Sequence, residues 1–124
     1  MKYDTDADAF LDKFNMRVGA DITAQQLETR VQHLREELTE LETAIRNNDA
    51  AEQLDALVDL TYIAIGTARM QNWDFAEAWR RVHSANMQKI RAERAADSKR
   101  GTTFDVVKPA DWQAADISDL VEAK

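Results

Sequence analysis

Apolar residues in this chain recur mostly three and four positions apart, the spacing of helices rather than strands. Over residues 4–16, Phe10 and Phe14 stand four apart and Asp4 or Thr5 can cap, which predicts a short first helix ended by Gly19. Thr23 followed three residues on by Gln26 forms a capping box, so a second helix is predicted over 23–47. Its Leu27, Val31, Leu34, Leu38, Leu41 and Ile45 make one stripe roughly 80° wide, with a cluster of glutamates off it. Asn47-Asn48-Asp49 reads as a turn. A third helix over 50–71 carries Leu54, Leu57, Val58, Leu60, Tyr62, Ile63 and Ile65 around nearly its whole circumference, the pattern of a buried helix.

After a turn at 72–74, with Asp74 as N-cap, a fourth helix is predicted to about residue 95. Its stripe Phe75, Trp79, Val82 continues in angle into Asn86 and Lys89, so one face ends in an amide and an ammonium. From residue 96 the pattern changes to a basic run around Lys99 and Arg100. An extended stretch broken by Pro109 follows, and then a last turn over 116–121. The expectation is an all-α single domain over residues 1–124: about four helices in a bundle (4–95) and an extended C-terminal arm (96–124).

Five carboxylates change this picture. Glu36, Glu37 and Glu40 lie within roughly 100° of one another on the second helix, and Asp55 and Asp59, four apart, share a face of the third. Glutamates opposite an apolar stripe are ordinarily solvated, but aspartates on a buried helix are almost never without a partner. Two carboxylates about 4 Å apart repel by roughly 4 kcal/mol at an effective dielectric near 20. A metal ion, an arginine (Arg69 or Arg35) or protonation can relieve that repulsion.

Composition narrows the chemistry. With 124 residues, a net charge of −7 and no cysteine, the chain has no thiolate ligand or nucleophile, and no general surface for a nucleic acid polymer. Any metal is therefore held by oxygen or by the two histidines, and oxygen favours Mg²⁺, with Mn²⁺ as the alternative. Isolated Gly66 and Gly101 exclude a P-loop. No apolar run nears the roughly 18 residues that span a bilayer, and Met1-Lys2-Tyr3-Asp4 is no signal peptide, so no membrane partner and a cytoplasmic location are expected.

Glu36-Glu37-x-x-Glu40 followed by Asp55-Ala-Leu-Val-Asp59-Leu-Thr-Tyr62 resembles the MazG-like, all-α nucleoside triphosphate pyrophosphohydrolases, a superfamily that includes phosphoribosyl-ATP pyrophosphohydrolases. Tyr62-Ile-Ala-Ile-Gly66-Thr-Ala68, Asn86-Met-Gln-Lys89 and Lys108-Pro109-Ala-Asp-Trp112 extend the likeness over roughly 10–120. The resemblance implies hydrolysis of a nucleoside triphosphate to the monophosphate and pyrophosphate, by attack of metal-activated water on the α-phosphorus. It implies Glu37, Glu40 and Asp59 as metal ligands with Asp55 in a fourth place, and Glu36 holding a second ion or orienting water. Asn86 and Lys89 would bind the triphosphate, and Lys99, Arg100 and Lys108 would close over phosphates. Phe10, Phe14 and Trp79 are candidates for a base pocket or for the core. A homodimer or dimer of dimers is expected as well, because the nearly all-round apolar third helix needs more cover than 124 residues readily supply. One departure stands out: where the superfamily pattern Glu-x-x-Asp has its Glu, position 56 is Ala. The rival readings are phosphoribosyl-ATP as substrate on the same fold, and a non-catalytic helical interaction module.

Overall fold

A computed structural model describes residues 2–122. Four helices carry most of the chain: α1 (Lys2–Lys13), α2 (Ala24–Arg46), α3 (Ala50–Met70) and α4 (Phe75–Asn86). Two two-residue strands, β1 (Ile90–Arg91) and β2 (Val106–Val107), pair antiparallel. The chain divides into two compact units, one reaching to Phe75 and the other spanning Ala76–Glu122.

Local chemistry sets the helix ends of the first unit. The Thr23 hydroxyl accepts from the Gln26 N–H at 3.1 Å while the Gln26 side chain accepts from the Thr23 N–H at 2.8 Å, the reciprocal capping box that the sequence predicts. The Asp49 side chain caps α3 by accepting from the Glu52 N–H. At their C-termini α1, α2 and α3 share one device. Asn15, Asn48 and Asn72 take left-handed φ values of 54°, 53° and 58°. The next residue's N–H then reaches back five positions, as in Asp49 N–H to Ala44 O at 2.9 Å.

α3 packs on both α2 and α1. Leu11 and Ala7 of α1 and Ile63, Ile65 and Met70 of α3 are buried. Arg69 clamps α1 to α3 through a two-point ion pair with Asp8 at 2.7 and 2.9 Å.

In the first unit two expectations need correction. The single stripe on α2 splits: Leu27, Leu34 and Leu41 are at least half-covered, whereas Val31, Leu38 and Ile45 are exposed. The covered face of α2 instead runs through Leu27, Arg30, Leu34, Glu37, Leu41 and Ala44, so one glutamate lies on it. Nor is α3 buried all round within this chain, since Leu54, Leu57 and Val58 are 65%, 48% and 54% exposed.

In the second unit α4 stops at Asn86 rather than near residue 95. The Gln88 and Lys89 N–H groups bond three residues back and tighten the last turn, after which Ile90 pairs with Val107. No Gly or Pro marks the stop; a partner 17 positions downstream does. The segment expected as an extended arm lies along α4. Trp112 Nε1–H donates to Ala85 O at 2.6 Å, and Arg81 forms a two-point ion pair with Asp119.

Because an L-residue pays about 1–2 kcal/mol in the left-handed region that Gly and Asn tolerate, Asn48→Ala is expected to lower the urea midpoint and Asn48→Gly to leave it nearly unchanged. Chemical denaturation of the two variants checks this.

Candidate metal centre

α2 and α3 bring three acids together at their contact. Glu37, Glu40 and Asp59 each offer one carboxylate oxygen, and these oxygens lie within 4.8 Å of one another. Glu40 is exposed and Asp59 half-buried, while the Glu37 side chain is only 13% exposed. Glu37 Oε2 is buried without a hydrogen-bond partner. An orphaned carboxylate oxygen costs free energy. Burial pushes the Glu37 carboxyl up from 4.5 to about 7, and its hydrogen bond with Glu40 and the charges of Glu40, Asp59 and Asp55 add to the rise.

No arginine neutralises the cluster among the described residues. Arg69 is committed to Asp8, and the nearest cationic candidate is His33, whose Nε2 lies 3.8 Å from Glu37 Oε1. Of the three remedies for like-charge crowding, arginine pairing is absent. A proton on Glu37 or a divalent cation remains, and the all-oxygen donor set suits a hard cation.

The model of the phosphoribosyl-ATP pyrophosphohydrolase family matches residues 9–86, more than half of the chain, and spans all three acids. The chain belongs to this family. It is accordingly a pyrophosphohydrolase, an enzyme that hydrolyses phosphoric anhydride bonds. Among curated proteins none matches the chain. No helix among the described residues is long and apolar enough to cross a membrane.

The other expected site residues fall as follows. Asp55 is exposed and outside the trio, although its charge reaches Glu37. Glu36 is exposed and accepts a long hydrogen bond from Gln32 at 3.4 Å. Ala56, where the superfamily pattern has Glu, is 2% exposed on the packed side of α3. In the second unit Asn86 is the last residue of α4 and Lys89 lies beyond the helix, so they do not share a helical face. Lys99 is exposed. Arg100 is engaged twice by Asp105, at 2.8 and 2.9 Å, and this pairing holds the Asp105 carboxyl well below the usual range.

Trp112 is the residue whose role the sequence left unread. The ammonium groups of Lys89 and Lys108 lie 5.1 and 4.9 Å from the centre of its indole. Arg80, Arg81, Arg94 and Arg100 all pair with carboxylates, whereas these two lysines share an aromatic ring. The only sequence signal for this was the Lys-Pro-x-x-Trp run itself.

The raised Glu37 carboxyl has a stability consequence with a definite sign. The folded, metal-free protein binds that proton more tightly than the unfolded chain, so this contribution is complete below about pH 4.5 and is lost as pH rises through about 7. In the presence of a chelator the melting temperature of the wild type is expected to fall over that window. Glu37→Gln, which cannot ionise, is expected to flatten the fall.

Proposed function

We propose that the enzyme is a Mg²⁺-dependent nucleoside triphosphate pyrophosphohydrolase that converts a (d)NTP and water to the (d)NMP and pyrophosphate. The observation that carries this reading is the convergence of Glu37, Glu40 and Asp59 with a buried, unpartnered oxygen and no arginine to relieve it. Glu37, Glu40 and Asp59 would hold the ion, with Asp55 one turn away lending charge. When bound, the ion supplies Lewis acidity, lowering the pKa of water and neutralising charge on the phosphates. Glu36, exposed beside Glu37, orients the attacking water. Water oxygen attacks the α-phosphorus, the bond to the bridging oxygen breaks, and pyrophosphate leaves. In the second unit Lys89 and Lys108, on the indole of Trp112, together with Asn86 and Lys99, are the candidates for contacts with phosphate oxygens. Arg100 serves its own loop through Asp105.

The family match supports a second substrate, phosphoribosyl-ATP, cleaved at the same anhydride bond. A panel of NTPs, dNTPs and phosphoribosyl-ATP with Mg²⁺ separates the two substrates. Monophosphate-type product and pyrophosphate are expected, and release of single phosphates would refute the reading. Mg²⁺ at saturating concentration is expected to raise the wild-type melting temperature by several degrees through mass action. Glu37→Gln and Asp59→Asn are expected to lose both that shift and turnover.

Self-association belongs to the same proposal. Val31, Leu38 and Ile45 repeat every seven residues on the open side of α2, and Leu57 and Val58 border a groove of about 310 Å³ with Tyr3 and Tyr62. A second copy of this chain is the occupant whose own apolar faces need the same cover. Sedimentation is expected to give a dimer or tetramer for the wild type, and a smaller species for Leu57→Glu.

A further inference from the structure

Two arginines of the first unit are half-buried at helix contacts, and only one has an acid. Arg69 holds Asp8. Arg30, on the covered face of α2, reaches across to α3 and finds neutral partners alone. Its Nε donates to Thr67 Oγ1 at 3.0 Å and its Nη2 to Ile63 O at 3.0 Å. The Thr67 hydroxyl donates to the same carbonyl at 2.7 Å, which leaves its lone pairs for the guanidinium. Burial with no compensating carboxylate pushes the Arg30 pKa down. Nη1 makes no hydrogen bond to any described residue.

Gly66 leaves room beside this guanidinium. A Cβ built on Gly66 would lie 2.8 Å from Arg30 Nη2. Glycine inside a helix is unfavourable relative to Ala, and here the missing methyl is the room the guanidinium occupies.

Arg30 also lines a cleft of about 560 Å³, within the size range of small-molecule sites. Its walls include Phe10, Phe14, Met16 and Met70, and both phenyl rings are more than two-fifths exposed. Such faces suit stacking of a planar ring. The cleft and the acids lie along the same helix, α2. Arg30 and Glu37 are seven residues apart, hence on one face and separated by about 10 Å. His33, between them, lines the cleft and approaches Glu37. A nucleoside 5′-phosphate has a comparable reach from phosphorus to the far edge of its base.

We propose that this cleft seats the nucleobase of the substrate and that Arg30 selects bases with a carbonyl at purine C6 or pyrimidine C4. Calling the occupant part of the substrate rests on the pyrophosphohydrolase reading of the acids. A guanidinium only donates hydrogen bonds. It pairs with the O6 and N7 acceptors of a 6-oxopurine or the O4 of uracil, whereas an amino group at that position meets it donor to donor. The aromatic and thioether walls favour a flat ring over a bare phosphate.

Nucleosides test this without phosphate or metal. Inosine and adenosine, titrated into the full chain in the presence of a chelator and followed by NMR, differ at the decisive position. The wild type is expected to bind inosine at least about tenfold more tightly. Arg30→Met is expected to level the two, and Gly66→Ala, which displaces the guanidinium while leaving it in the chain, to reduce the preference. Equal binding by the wild type, a preference that survives Arg30→Met, or displacement of inosine by inorganic phosphate would overturn the proposal. Glu37→Gln is expected to keep the inosine preference. If the preference is present and the wild type releases no pyrophosphate, the base pocket stands and the hydrolase reading fails; the converse result separates them the other way.

Discussion

Like charges crowded between two helices are the constraint on which this structure turns. α2 and α3 must cover each other to bury Ala44, Ala56 and Ile63, and in doing so they carry Glu37 and Glu40 against Asp59. Packing and electrostatics pull in opposite directions at this one place. Hydrophobic burial is non-directional and indifferent to the acids, so the helices close, and the Glu37 carboxyl absorbs the conflict by holding its proton to about pH 7. A structural ion pair would have removed the strain with one arginine. That Arg69, one of the candidates, is spent on Asp8 instead leaves the acids available for a cation from outside.

Much of this was legible in the chain because it is local. The Thr23 and Gln26 box and the turns at Asn48 and Asn72 act within a few positions, and each stands where the sequence places it. Two kinds of feature were not. The end of α4 at Asn86 is set by strand pairing with Val107, for which no nearby residue gives a signal. The division of the α2 stripe into a covered and an open half is set by where α3 crosses, and an 80° stripe reads the same either way. For that reason the acids are visible in the sequence but the burial of Glu37 is not, and nothing in the spacing sets Arg30 apart from the other basic residues of α2.

Charge in the second unit follows a different logic from the first. Most of its arginines pair with carboxylates, among them Arg81 with Asp119, Arg94 with Asp97 and Arg100 with Asp105. Lys89 and Lys108 remain apart from this pairing, on one indole. An aromatic ring steadies an ammonium without cancelling its charge. In a chain of net charge −7, a cation kept free of carboxylates retains its attraction for an anion.

The missing methyl at position 66 ties two distant positions into one heritable unit. While a guanidinium fills that space, a methyl at position 66 must push it aside. Once the arginine is gone, nothing holds the glycine there. A change at either position therefore alters the room or the contacts available at the other.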